Sequence, residues 1–188
     1  MPFPVYQFVQ IVYWLALATW FGGVLFIAMA APVIFRTVRE SDPLLPTVLS
    51  VNLEGQHSTL LAGSIVVNLI AVLRRIELIC VVAILATMAV QLGEGWQDWF
   101  GAIPRVALFV AAAVLSMYDR RVVWPRIEKH RREYIEHADE PEVANPARRQ
   151  FDRYHRESVL LLKIILALLL GMIVLSTSIT QARVLISR

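Results

Sequence analysis

The sequence predicts an all-α protein, an integral membrane four-helix bundle with four transmembrane helices. Three observations carry this fold class. Hydrophobic residues make up 57% of the chain and the mean hydropathy is +0.60, outside the balance of a soluble domain. Several apolar runs reach the roughly 20 residues that a helix needs to cross a bilayer core. Basic residues gather in two of the three connections between those runs, as in multispanning proteins with a fixed orientation. Over 188 residues this makes a single membrane domain, 1–188.

The predicted spans are residues 6–35, 76–92, 103–124 and 158–180. The first is longer than a perpendicular helix requires, so it tilts or projects past the membrane before Pro32. Its start, MPFPVYQFVQIVYW, has no Lys or Arg, and the apolar run is too long for a signal peptide, which predicts a retained helix. The stretch 60–73 ends in Arg74 and Arg75 and is short for a span. A continuous helix over 58–92 would be about 50 Å long with both arginines in its middle. A short interfacial helix, then a break, then span two is the expectation. The connection 125–157 reads as an amphipathic helix with Pro125 in its first turn and pairs such as Glu128 with Arg132 at helical spacing. A break at DEPEVANP follows, then a second helix that continues into span four. Small-residue pairs at four-residue spacing, Ala18 with Gly22, Ala107 with Ala111 and Ala167 with Gly171, suit close helix packing.

Arg36, Arg39, Arg74 and Arg75 lie between spans one and two, and Arg120, Arg121, Arg126, Lys129, Arg131, Arg132, Arg148, Arg149, Arg153 and Arg156 between spans three and four. The connection between spans two and three carries only Glu94 and Asp98, with Trp96, Trp99 and Phe100 as an interfacial aromatic belt. This places both long connections in the cytoplasm and both termini outside it, in a multi-pass protein of an inner (plasma) membrane. Arg183 and Arg188 run against the bias without reversing it. The net charge of +3 is explained by orientation, and with no groove-reading module in the sequence no nucleic-acid partner is expected. The single cysteine, Cys80, lies inside an apolar run and builds neither a disulfide nor a thiolate metal site.

Where the fourth span begins, FDRYHRES sets Phe151, His155, Ser158 and Leu162 on one helix face, with Arg149, Asp152, Arg153 and Arg156 directed elsewhere. A polar group facing inward at a membrane surface is a candidate site. FDRYHRES resembles the signature entering the last span of the domain of unknown function 4149 family, bacterial relatives of the transmembrane protein 205 group. WLALATWFGGVLFIAMAAPVIFR is similar to that family's first helix, AGSIVVNLIAVLRRIEL to the start of its second, and VVWPRIEKHR to the stretch after its third. The resemblance implies a bacterial four-span membrane protein and brings no established chemistry. Leu162 stands where many members carry Asn, so a polar site that includes that Asn is incomplete here.

The cluster Phe151, His155 and Ser158 is read first as a packing device and second as a binding site, with His57, Asp119, Arg74, Arg75, Pro125 and Arg126 as candidate neighbours. Glu54 and His57 form one Glu-x-x-His unit, whereas a di-iron bundle needs two and further Glu residues, so they are weak metal candidates. His130, Glu133 and His137 share a helix side and are read as a membrane-facing contact before a metal site. Asp119 and Lys163 are read as the deepest charges, Lys163 snorkelling and Asp119 paired with an arginine. With no nucleophile–base pair, phosphate loop or oxidoreductase fingerprint in the sequence, the expectation is a non-enzymatic binding or structural membrane protein without cofactor. Its partners are the lipid bilayer, anionic lipid head groups and, as an option, further copies of itself. The alternatives are a small transport or tolerance protein for a metal ion or amphiphilic solute, and a metal-dependent enzyme built on Glu54, His57 and His155.

Overall fold

The computed structural model describes the backbone of residues 3–41, 57–96 and 99–186, and the side chains of residues 4–41, 57–96 and 101–177. All regular structure among them is helical: α1 (Phe3–Glu40), α2 (His57–Gly93), α3 (Trp99–Tyr118), α4 (Trp124–Glu136) and α5 (Pro141–Ile186), with a π-helical turn, Asp119–Val123, joining α3 to α4. Three helical segments among the described residues are long and apolar enough to cross a membrane: Pro4–Glu40, Gly101–Glu136 and Pro141–Thr177. The predicted second span is the C-terminal half of α2.

The expected break between a short interfacial helix and span two does not exist, because α2 is continuous from His57 to Gly93. No Gly or Pro occurs between Gly63 and Gly93, and Arg is a good helix former. Charge decides where a helix leaves the bilayer, not where it ends. What ends α2 is Gly95 at φ 63°. Its N–H bonds the Leu92 carbonyl at 3.1 Å and that of Trp96 bonds the Gln91 carbonyl at 3.0 Å, the paired bonds of a helix closed by a left-handed glycine. In the same way α1 runs through Pro32 to Glu40, losing a donor at the proline without stopping.

Between α3 and α4 the helix widens instead of breaking. Trp124 donates its backbone N–H to the carbonyl of Asp119, five residues back, immediately before Pro125, which has no N–H to give. Pro125 thus sits in the first turn of α4, as the sequence suggested. The break foreseen over DEPEVANP is confined to its start: the chain turns at 137–140, and α5 begins at Pro141 and carries Pro146 inside it.

The residues group into two units. The first comprises Met1–Leu25, Leu73–Ser116 and Lys163–Arg188. Its core is drawn from four helices: Tyr13, Leu17 and Trp20 of α1, Ile84 and Met88 of α2, Phe109 and Ala112 of α3, and Leu169 and Met172 of α5. Its outside is apolar as well, with Phe8 67% and Ile79 69% exposed beside Leu15, Val82, Leu85, Val110, Leu170 and Val174. A surface like that belongs against lipid. Close approach occurs at Gly23, where an added Cβ would overlap Leu73, and at Gly171, where it would lie 3.1 Å from Leu108. Gly22 and Ala18, paired by spacing alone, do not serve this purpose: a Cβ on Gly22 meets nothing within 4 Å and Ala18 is exposed.

The second unit comprises Phe26–Val72 and Met117–Leu162. Ile27, Ala62, Val123, Ile127, Ala138, Ala144, Ala147 and Leu161 form its buried core. The alanines let charged helices approach closely, so polar and aromatic side chains complete the packing.

Candidate functional site

In the second unit, Arg148, Phe151, Asp152 and His155 fall at i, i+3, i+4 and i+7 on α5 and line one cavity of about 240 Å³. Thr59, Leu60 and Gly63 of α2, Arg131 and Tyr134 of α4, and Phe35 of α1 complete it. Arg131 is held in place: its Nη2 donates to Ser64 Oγ at 2.9 Å and to the Leu60 carbonyl at 3.3 Å, leaving its other N–H groups available. Arg148 lies over the Tyr134 ring at 5.8 Å, and the His155 ring stacks on Phe151 at 5.8 Å. Burial pushes the Arg131 guanidinium pKa down, opposed by Glu128. Desolvation likewise holds the His155 imidazole below its ordinary value, opposed by Asp152. The arrangement offers two guanidinium groups and an imidazole against one carboxylate, lined by aromatic rings. Chemically it suits a small anionic group with an apolar appendage.

Of the expected cluster, Phe151 and His155 line this cavity, while Ser158 does not and is half-buried nearby on α5. Asp152, expected to be directed elsewhere, lines it too. His57, Asp119, Arg74, Arg75, Pro125 and Arg126 lie outside the lining. Pro125 instead borders a groove with Glu128, Lys129, Arg132, Glu133, Glu136 and His137. Arg126 lies over the Tyr154 ring at 5.4 Å, and the His130 ring stacks with Tyr154 at 5.8 Å. His130 meets Glu133 at 3.2 Å, whereas His137 turns to Glu140 at 3.4 Å, so the three groups at 130, 133 and 137 do not converge. Among the described residues no three His, Cys, Asp or Glu side chains come together. Glu54 lies outside the described residues.

The first unit contains a polar network that the sequence reading passed over. Glu77 Oε1 accepts from Trp20 Nε1 at 2.8 Å and from Ser116 Oγ at 2.6 Å, tying α2 to α1 and α3. Arg105 is 2% exposed and Gln91 1%, and Arg105 Nη2 donates to Gln91 Oε1 at 2.9 Å. The guanidinium also lies over the Tyr13 ring at 4.9 Å. Ser176 Oγ donates to the Met172 carbonyl at 2.7 Å, so the 2.8 Å contact between Tyr13 and Ser176 is a bond donated by the tyrosine. Glu77 and Arg105 are therefore the charges set among the core helices of the first unit, while Lys163 is exposed and Asp119, half-buried, belongs to the second unit. The signal was plain for Arg105, an isolated charge inside an apolar run, and weaker for Glu77, two residues after Arg75; a polar residue among apolar helices is costly enough to need a partner.

The family model for a domain of unknown function (DUF4149) matches residues 15–136. The match covers the quoted stretches at the start of α2 and around Pro125, and that of the first span except Trp14, and stops before Phe151, His155 and Ser158. No curated protein and no solved structure matches the chain significantly.

Proposed function

Since the chain belongs to the domain of unknown function 4149 family, whose description names no activity, we propose that it is a membrane-embedded binding protein that holds the phosphate head group of an anionic lipid at its cytoplasmic side. The single observation that carries this is the cavity where Arg131, Arg148 and His155 meet Phe35, Tyr134 and Phe151. A guanidinium pair recognises a phosphate through several N–H donors at once, and the aromatic and leucine wall suits the glycerol and first methylenes of the lipid. Polybasic surfaces next to a cytoplasmic leaflet gain about 1 kcal/mol per charge from anionic lipids, which favours this source of phosphate. The reading takes the protein as non-enzymatic. It also takes α2 as the fourth crossing, with the arginine-rich connections inside, both termini outside and an inner membrane as the site of residence.

The test is native mass spectrometry of the detergent-purified protein titrated with short-chain phosphatidylglycerol, phosphatidylcholine and free glycerophosphate. Retention of phosphatidylglycerol over phosphatidylcholine, reduced about tenfold by Arg131→Gln, is the expected result. Equal retention of both lipids, or no effect of the substitution, overturns the reading. Equal binding of glycerophosphate replaces the lipid with a soluble phosphoester.

A further inference from the structure

We propose that Arg105 and Gln91 form a buried binding site for a small monovalent anion, of the size of a halide, among the helices of the first unit. Arg105 keeps its charge at any physiological pH, and a guanidinium excluded from water needs a compensating negative charge as well as acceptors. Its surroundings supply little of either. Gln91 Oε1 accepts from Nη2, and the Tyr13 ring face contributes a quadrupole at 4.9 Å. The Tyr13 hydroxyl is committed to Ser176. Among the described residues no carboxylate lies within ion-pair distance of Arg105.

Two donors in this cluster are unmatched. Arg105 Nε and Gln91 Nε2 are both buried and neither has a hydrogen-bond acceptor. They belong to side chains that are themselves joined by a 2.9 Å bond, so they share one cluster. Two buried N–H donors on joined side chains, with no carboxylate against the guanidinium among the described residues, call for an acceptor that is both negative and small. Water would satisfy the donors and leave the charge unbalanced. With Arg105, Gln91 and Tyr13 all at most 2% exposed, a single-atom anion suits the place better than a tetrahedral oxyanion. A halide brings the charge and accepts from both groups.

Because a ligand that binds only the folded state stabilises it by mass action, the experiment is the thermal midpoint of the detergent-purified protein titrated with chloride or bromide, with gluconate holding the ionic strength constant. The midpoint should rise with halide and saturate. Gln91→Glu keeps an oxygen for Arg105 Nη2 and adds a fixed carboxylate, so this variant should fold, start with the higher midpoint and lose the halide response, its half-saturating concentration rising at least tenfold. Arg105→Gln removes the charge and should abolish the response. A flat titration of the unsubstituted protein overturns the proposal, as does a Gln91→Glu variant that responds to halide as the unsubstituted protein does. This site is independent of the lipid cavity, and Arg131→Gln should leave its halide response intact.

Discussion

Glu77 shows how one residue organises its surroundings. Its Oε1 holds both the Trp20 indole N–H and the Ser116 hydroxyl, and with helices surrounded by lipid, association rests on packing and hydrogen bonds rather than on hydrophobic burial. Glu77→Leu strands the Trp20 donor, which lies on a fully buried ring. The expected loss is about 1–3 kcal/mol, read as a lower thermal midpoint in detergent. Glu77→Gln keeps the acceptor oxygen and should lose less than half of that; equal losses would mean that the charge, not the bond, matters. His155 gives a pH test. Desolvation lowers its pKa, so protonation is harder in the folded state. Its contribution is therefore constant above its unfolded value of about 6.5 and destabilising as pH falls below that, levelling off under the folded value. Thermal midpoints measured against pH should show a shallower acid limb in His155→Gln. Phe151 and His155 were legible because the i, i+4 spacing identifies a face. Asp152 was not, since the stripe through Phe151 and His155 leaves it directed elsewhere, although it lies i+4 from Arg148. The sequence singles out Asp119 and Lys163 within the spans and not Glu77 and Arg105, which lie within three residues of a predicted span's start.

At the scale of elements, apolar runs located the helices and the arginines misplaced a boundary. The pair Arg74 and Arg75 looked like the end of a segment, yet α2 passes through them, since only backbone geometry stops a helix and no breaker is present there. Gly95 and Pro125 were the true punctuation. The first closes α2 with a left-handed residue, and the second is accommodated by the widened turn Asp119–Val123. A π-helical turn holds one residue more than the α-helical path needs. Deleting exposed Arg121 together with Pro125→Ala should therefore relax the turn to regular α-helix while α4 keeps its register and Arg131 its bond to Ser64. Deleting Lys129 has no such reserve and rotates one side of α4 by about 100° against the other. Cysteines placed at 64 and 131 and joined by a bifunctional thiol reagent long enough to replace the arginine side chain, which a direct disulfide could not span, read the difference: they should cross-link in the first background and fail to do so in the second. Failure in both would mean that the widened turn holds no spare residue.

For the whole molecule the proposal of four crossings turns on α2. Three helical segments meet the length and hydropathy of a span, and an odd number of crossings would place the termini on opposite sides. The apolar half of α2, with Leu78, Ile79, Val82 and Leu85 exposed, makes the fourth only if lipid covers that surface. Chain geometry provides the test, because Cys80 is the sole cysteine and is buried, which leaves a low background for thiol labelling. Glu94→Cys, on the exposed turn after α2, and Glu140→Cys, on the exposed turn before α5, report the two sides. In intact cells an impermeant maleimide should label position 94 and leave position 140 untouched until the membrane is opened. Labelling at 140 alone reverses the orientation that the arginines imply, and labelling at both from outside removes the membrane between them. If Phe8→Cys and Val174→Cys, on the lipid-facing apolar surface, both resist the reagent while 94 accepts it, the exposed hydrophobic belt is the bilayer contact. The arginine count then gains a physical basis as an orientation signal, since Glu77 and Arg105, the charges set between the core helices, have hydrogen-bond partners there.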